Sequence, residues 1–207
     1  MGRSRALCTQ IRWGLVALVA MAAPAAALTG GASAAKVPPD KLRALKPVAD
    51  TYVTAARPRA NFGASPVLRV DGTPKTVTYL RFELAKIRGE ITGVTLLLHS
   101  RSAVRTSYAV RQVIEDEWRE RRLTYANAPQ ASLRYMSGKP VRRGTWSAID
   151  VTAFVDSADE VSLAITTRGA RELSFGSRES RHSPRLVVRF KRHSDLEERV
   201  LDALLRR

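Results

Sequence analysis

Val77-Thr78-Tyr79-Leu80-Arg81-Phe82-Glu83-Leu84 carries the reading of the fold. Leu80, Phe82 and Leu84 alternate with polar or mixed neighbours, the period of a half-buried strand. Similar short runs lie on either side: Val94-Thr95-Leu96-Leu97-Leu98, Val161-Ser162-Leu163-Ala164-Ile165 and Leu186-Val187-Val188-Arg189-Phe190. Ser107 to Val113 alternates more weakly. Gly, Pro, Asn and Asp separate these runs, and no helix-period stretch interrupts residues 48 to 190. Eight to ten short strands with regular turn signals predict an all-β chain, an antiparallel sandwich or barrel, with a jelly-roll-like β-sandwich as the expected class. The apolar phase predicts a core of Leu80, Phe82, Leu84, Leu96, Leu98, Leu163, Ile165, Phe175, Leu186 and Val188.

The whole chain has 207 residues, the size of one domain with extensions. Apolar residues make up 44% and charged residues 26%, which excludes a polytopic membrane protein, a collagen and a wholly disordered chain. Lys and Arg number 35 against 19 Asp and Glu, a net charge of +16. Arg outnumbers Lys 28 to 7, and residues 48 to 190 alone hold 23 basic against 14 acidic side chains. A guanidinium forks onto carboxylate, sulfate or phosphate, so this balance favours anionic partners without choosing among them.

The flanks read differently. Arg3, Arg5 and Arg12 precede an uncharged run from Trp13 to Ala35 with an apolar centre, Leu15 to Met21. Ala32-Ser33-Ala34 is an A-x-A site, so residues 1–34 read as a secretory signal peptide cleaved before Ala35. The rival reading, a membrane anchor, is weakened by Pro24 and Gly30-Gly31, and no stable membrane insertion is expected. The single cysteine, Cys8, precedes the apolar run, so the secreted chain has neither a disulfide nor a thiolate metal site. Residues 35–47, with Pro38-Pro39 and Pro47, read as a linker or extension. At the other end Ser194-x-x-Glu197 is a capping box. Leu196, Val200 and Leu204 follow at i, i+4, i+8, predicting a short C-terminal amphipathic α-helix within 191–207 that docks on its own domain or on a partner.

Local motifs for catalysis, metals or cofactors are missing. His99, His182 and His193 lack metal-ligand spacing and read as ordinary surface or turn residues. There is no G-x-S-x-G and no phosphate-cradling glycine loop. Glu115-Asp116-Glu117-Trp118-Arg119-Glu120 places four carboxylates in six residues, but Arg119, Arg121 and Arg122 offset them, and the stretch reads as a polar turn pinned by Trp118. No cofactor and no metal are expected. Arg178-Glu179, read as a strand pair, points to opposite faces. An inward charge needs a fixed partner, with Asp50 the candidate for Arg178 and Arg69 or Arg81 for Glu179.

These pieces, taken in order, resemble the DNRLRE domain, also classed as carbohydrate-binding module family 96. The resemblance starts at Ala49-Asp50-Thr51-Tyr52-Val53 and continues through Asn61-Phe62-Gly63, Leu68-Arg69-Val70 and Tyr79-Leu80-Arg81-Phe82-Glu83-Leu84. It includes Glu117-Trp118-Arg119-Glu120, Leu123-Thr124-Tyr125, Asn127-Ala128-Pro129, and Trp146 with Ile149-Asp150-Val151-Thr152. Ser177-Arg178-Glu179 and Pro184 to Val188 close it. It spans residues 48–190. Departures are Glu83 and Glu117 where Asp is usual, Tyr125 in place of Trp, and Ala126 in place of the first Asn of an Asn-Asn pair.

The resemblance implies a secreted, non-catalytic β-sandwich that binds carbohydrate. The Arg surplus makes an acidic extracellular polysaccharide the expected partner, and secretion argues against nucleic acid as a physiological one. Arg69, Arg81, Tyr79 and Trp146 are the candidate ligand-binding residues. Asp50, Asn61, Trp118, Arg178 and Glu179 are motif residues expected to brace the fold. The alternative is a structural or protein-interaction module of the cell envelope, and an enzyme ranks third. The first two differ in one observable: a glycan binder needs exposed aromatic rings beside Arg, whereas burial of every Tyr and Trp favours the structural module.

Overall fold

A computed structural model of the chain describes residues 40–102, 106–115, 117–155, 159–191 and Leu205. The expected signal peptide, and the expected tail helix apart from Leu205, lie outside the described residues. Among these residues there are eleven strands: β1 (Lys41–Leu45), β2 (Ala49–Thr54), β3 (Val67–Gly72), β4 (Lys75–Glu83), β5 (Glu90–His99), β6 (Tyr108–Val113), β7 (Ala131–Gly138), β8 (Trp146–Asp150), β9 (Glu160–Thr166), β10 (Leu173–Gly176) and β11 (Arg185–Lys191). All recorded pairings are antiparallel.

Two sheets form a β-sandwich. One has the order β1-β11-β5-β8. The other runs β10-β3-β4-β9-β6-β7, with β2 also paired to β4. A single bridge between Ser100 and Phe175 ties the end of β5 to β10. The inward residues of both sheets make the main core. All ten residues expected there are buried, and Leu80, Phe82, Leu96, Leu98, Leu163 and Phe175 among them are fully enclosed. Alternation in β4, β5, β9 and β11 therefore reports burial as the period-two rule requires.

Strand β4 is unusual in burying both faces. Thr76, Thr78, Leu80 and Phe82 take one phase, and Leu80 and Phe82 belong to the main core. Val77 and Tyr79 take the other and join Ala49, Val53, Val113, Trp118, Leu123 and Ala164 in a second apolar cluster. The segment carrying Trp118 and Leu123 thus covers part of the outer face of the larger sheet. Asn61 staples it down. Its amide donates to the carbonyl oxygens of Glu120 and Leu123, both at 2.7 Å, while its Oδ1 accepts the Gly63 N–H. A side chain at Gly63 would collide with the Glu120 carbonyl, so the N-F-G turn can approach this closely only with glycine.

The stretch expected as a linker contains β1, which pairs with β11 from Lys41↔Phe190 to Leu45↔Leu186. Most of β1 is exposed, as befits an edge strand rich in Lys and Arg. That composition is why it reads as a linker. Among the described residues no helix is long and apolar enough to cross a membrane.

Candidate functional site

The motif residues assemble around the end of β2. Asp50 is 1% exposed. Its Oδ2 accepts the Arg178 N–H at 2.7 Å, and its own N–H donates to Glu120 Oε1 at 2.9 Å. The Arg178 guanidinium donates to Glu120 Oε2 and Glu179 Oε1, both at 3.0 Å, and to the Val48 carbonyl at 2.9 Å. The Ser177 hydroxyl donates to Glu179 Oε2. Three carboxylates thus gather within 4.8 Å, with one guanidinium among them as the counter-charge. Burial pushes the Asp50 carboxyl up to about 7, the Arg178 N–H opposes that shift, and the nearby Glu179 and Glu120 charges add to it.

This arrangement corrects two expectations. Arg178 and Glu179 are partners, not residues aimed at opposite faces. They lie beyond β10 in a turn closed by the Ser180 N–H on the Ser177 carbonyl, where strand alternation no longer applies. Asp50 does meet Arg178, through the Arg178 backbone N–H, but Glu179 takes the Arg178 side chain and the Ser177 hydroxyl where Arg69 or Arg81 was the expected partner. Glu120, embedded in a stretch read only as a polar turn, is an essential member of the network.

Of the four candidate ligand-binding residues, Trp146 is an exposed ring packed against two residues that line an open cleft, His99 and His182. Tyr79 is 4% exposed, and its hydroxyl donates to the Pro129 carbonyl at 2.9 Å. Burial raises its hydroxyl pKa to about 12. It has no face to offer a ligand, because the segment around Trp118 covers its side of β4. Arg69 grips both oxygens of Glu172, at 2.8 and 3.0 Å. Arg81 lies over the Trp118 ring at 5.3 Å and donates to the Trp118 carbonyl, with Glu160 at 3.9 Å. Trp118 is itself buried and donates from Nε1 to Ser162 Oγ. Arg81 and Trp118 therefore hold the covering segment on the sheet.

Trp146 opens β8 and faces His99, the last residue of β5, across the strand pair. Its ring meets the His99 imidazole edge-on at 5.2 Å. His99 in turn stacks on His182 at 4.1 Å and 16°. The Arg185 guanidinium lies 5.7 Å from the Trp146 ring centre, and 42% of Trp146 remains exposed. Beside this group is a cleft of about 290 Å³, lined by His99, His182, Arg101, Arg143, Arg181 and small residues. None of the described residues lining it is acidic.

Local backbone chemistry builds the cleft. Gly144, at φ +76°, turns the chain so that the Thr145 N–H reaches the Arg142 carbonyl. Backbone bonds from Ser100 to Thr145 and from Gly144 to Ser100 then fasten this turn to the end of β5. On the other side, a side chain at Gly176 would strike the His182 carbonyl, so glycine lets the β10–β11 loop bring His182 onto His99. Burial pushes the His99 imidazole below its ordinary pKa, and the nearby His182 and Arg101 charges push the same way. Within the stack, His99 is therefore held toward its neutral form. An exposed indole beside the Arg185 guanidinium, next to a cleft lined by three more arginines, suits a ligand with apolar ring faces and anionic substituents.

Sequence reasoning treated His99 and His182 as isolated and did not single out Arg101, Arg143, Arg181 or Arg185. These residues come from separate segments that only the sandwich brings together. No curated protein matches the chain. The family model described as carbohydrate-binding module family 96 matches residues 41–190, from the start of β1 into β11 and thus across both sheets and the cleft. The chain belongs to carbohydrate-binding module family 96.

Proposed function

We propose that the protein is a secreted, non-catalytic module that binds an acidic extracellular polysaccharide at the Trp146 cleft. Export rests on the charge pattern of residues 1–34. The observation that carries the ligand class is the exposed Trp146 ring beside a cleft lined by three arginines and no described acid. Exposure of Trp146 and Tyr135 favours the glycan reading over a purely structural module, which would bury its aromatic rings. Arginine forks supply the grip on uronate or sulfate groups, and the indole supplies the surface for the sugar ring.

Trp146→Ala is expected to weaken binding to a polyuronate by about 2 kcal/mol or more, about thirtyfold, as removal of a central aromatic anchor does. The thermal midpoint should change little, because the ring is half exposed at the start of an edge strand. Arg143→Glu, on an exposed turn, should weaken binding through charge alone. Isothermal titration of each variant decides the matter. Full affinity in both variants would remove the cleft from the account.

A further inference from the structure

We infer that a depression around Tyr135 is a second binding site, for one anionic sugar unit, separate from the Trp146 cleft. The inference rests on the polysaccharide reading above but on a different part of the fold. Strand register places Arg111 opposite Tyr135, and Ala109 opposite both Ser137 and Thr166. Ala109 and Arg111 share the outward phase of β6, since Tyr108 and Val110 take the inward phase and enter the main core. The small Ala109 side chain thus sits low between taller neighbours on the outer face of the larger sheet. A cavity of about 180 Å³ lies there. The covering segment that buries Tyr79 on this sheet leaves Tyr135 50% exposed.

The walls are chemically suited to a charged sugar. The Arg111 guanidinium lies 4.9 Å from the Tyr135 ring centre. It is fixed by donation to the carbonyls of Ser132 and Leu133, at 2.9 and 2.7 Å, and by a longer bond from Nε to Thr166 Oγ1. The ring and its cation are therefore positioned before any ligand arrives, which lowers the ordering cost of binding. Arg168 adds a second charge, and Ser137, Thr166 and Thr167 add hydroxyl groups, with no acid among the described lining residues. The volume is below the roughly 300 Å³ of pockets that enclose drug-sized ligands, so it fits a single unit of a longer chain. One hydrogen bond links residues of the two regions: Tyr108, a residue lining the depression, sends its side chain into the core and donates from its hydroxyl at 2.7 Å to Oγ of Ser147, the residue after Trp146. Two sites on one module raise apparent affinity for a polymer beyond that for a short fragment.

The test is a titration of the whole protein with a uronic-acid disaccharide, followed by backbone amide shifts, with a neutral glucose disaccharide as control. Two separate groups of signals should move: Ala109, Ser137 and Thr167, and independently Ser100, Gly144 and His182. Tyr135→Ala should abolish the first group of shifts and leave the second. Trp146→Ala should do the reverse. Shifts confined to the Trp146 group, unaffected by Tyr135→Ala, would overturn the second site and leave the proposed function standing. Shifts confined to the Tyr135 group would uphold this site and overturn the Trp146 cleft. Equal shifts with the neutral disaccharide at Tyr135 would overturn the anionic assignment.

Discussion

Leu96→Ala is expected to lower the free energy of unfolding by about 2–5 kcal/mol. Leu96 lies in the middle of β5, is fully buried, and pairs in register with Leu186 of β11 and Ile149 of β8. β5 therefore has a neighbour on each side, and the inward row Val94, Leu96, Leu98 meets the inward row of the opposite sheet. Truncation removes the transfer energy of the lost methyl groups and leaves a cavity that two flanking ladders prevent from collapsing. Denaturant unfolding should show a lower midpoint with an unchanged slope. An unchanged midpoint would mean that this face of β5 is not part of the core.

The second large effect is a pH dependence centred on Asp50. Its carboxyl titrates at about 7 in the folded protein against 3.8 for the ordinary group. Below pH 3.8 both folded and unfolded states hold the proton, and the group contributes nothing. Between 3.8 and about 7 the folded state keeps a proton that the unfolded state has lost. Stability therefore falls as pH rises through this window, by about 1.4 kcal/mol per unit, and levels off above it. The whole change is on the order of 4 kcal/mol. Asp50→Asn keeps an acceptor for the Arg178 N–H but cannot ionise. Relative to the natural protein, the variant should gain stability from pH 4 to about pH 7 and hold a constant advantage above it. Taking the difference between the two proteins cancels the titration of other carboxylates. A difference that does not vary with pH would show that Asp50 ionises normally.

How much of this could be read from the chain depends on whether the deciding contacts are local. Leu80, Phe82 and Leu84 announce their strand because alternation is a property of adjacent residues, and the same holds for the other core runs. Tyr79 stands in that same strand on the phase that alternation assigns to solvent. It is buried because Trp118 and Leu123, some forty residues away, fold over it. Arg178-Glu179 was legible as a charged pair in need of partners. Its geometry was not, because the strand ends at Gly176 and a turn replaces alternation. Lys41 to Leu45 reads as a linker for a related reason: an exposed edge strand has almost no apolar phase. Trp146 could be named from its motif, since an aromatic ring in a short β-rich stretch is conspicuous. His99, Arg101, Arg143, Arg181 and His182 could not, because no spacing along the chain links them. They converge only once β5, β8 and the β10–β11 loop are packed.

The most direct test of the central claim is the salt dependence of binding to a polyuronate, measured beside a neutral glucan and DNA. Screening shortens the Debye length from about 10 Å at 0.1 M to about 3 Å at 1 M, so a grip made by arginines on carboxylates weakens steeply over that range. The account predicts polyuronate binding that falls about tenfold or more with salt, depends on Trp146, and exceeds binding to glucan and to DNA at every salt concentration. Salt-insensitive binding to the neutral glucan alone would contradict the acidic ligand, and equal binding to polyuronate and DNA would reduce the interaction to unspecific attraction by a basic surface.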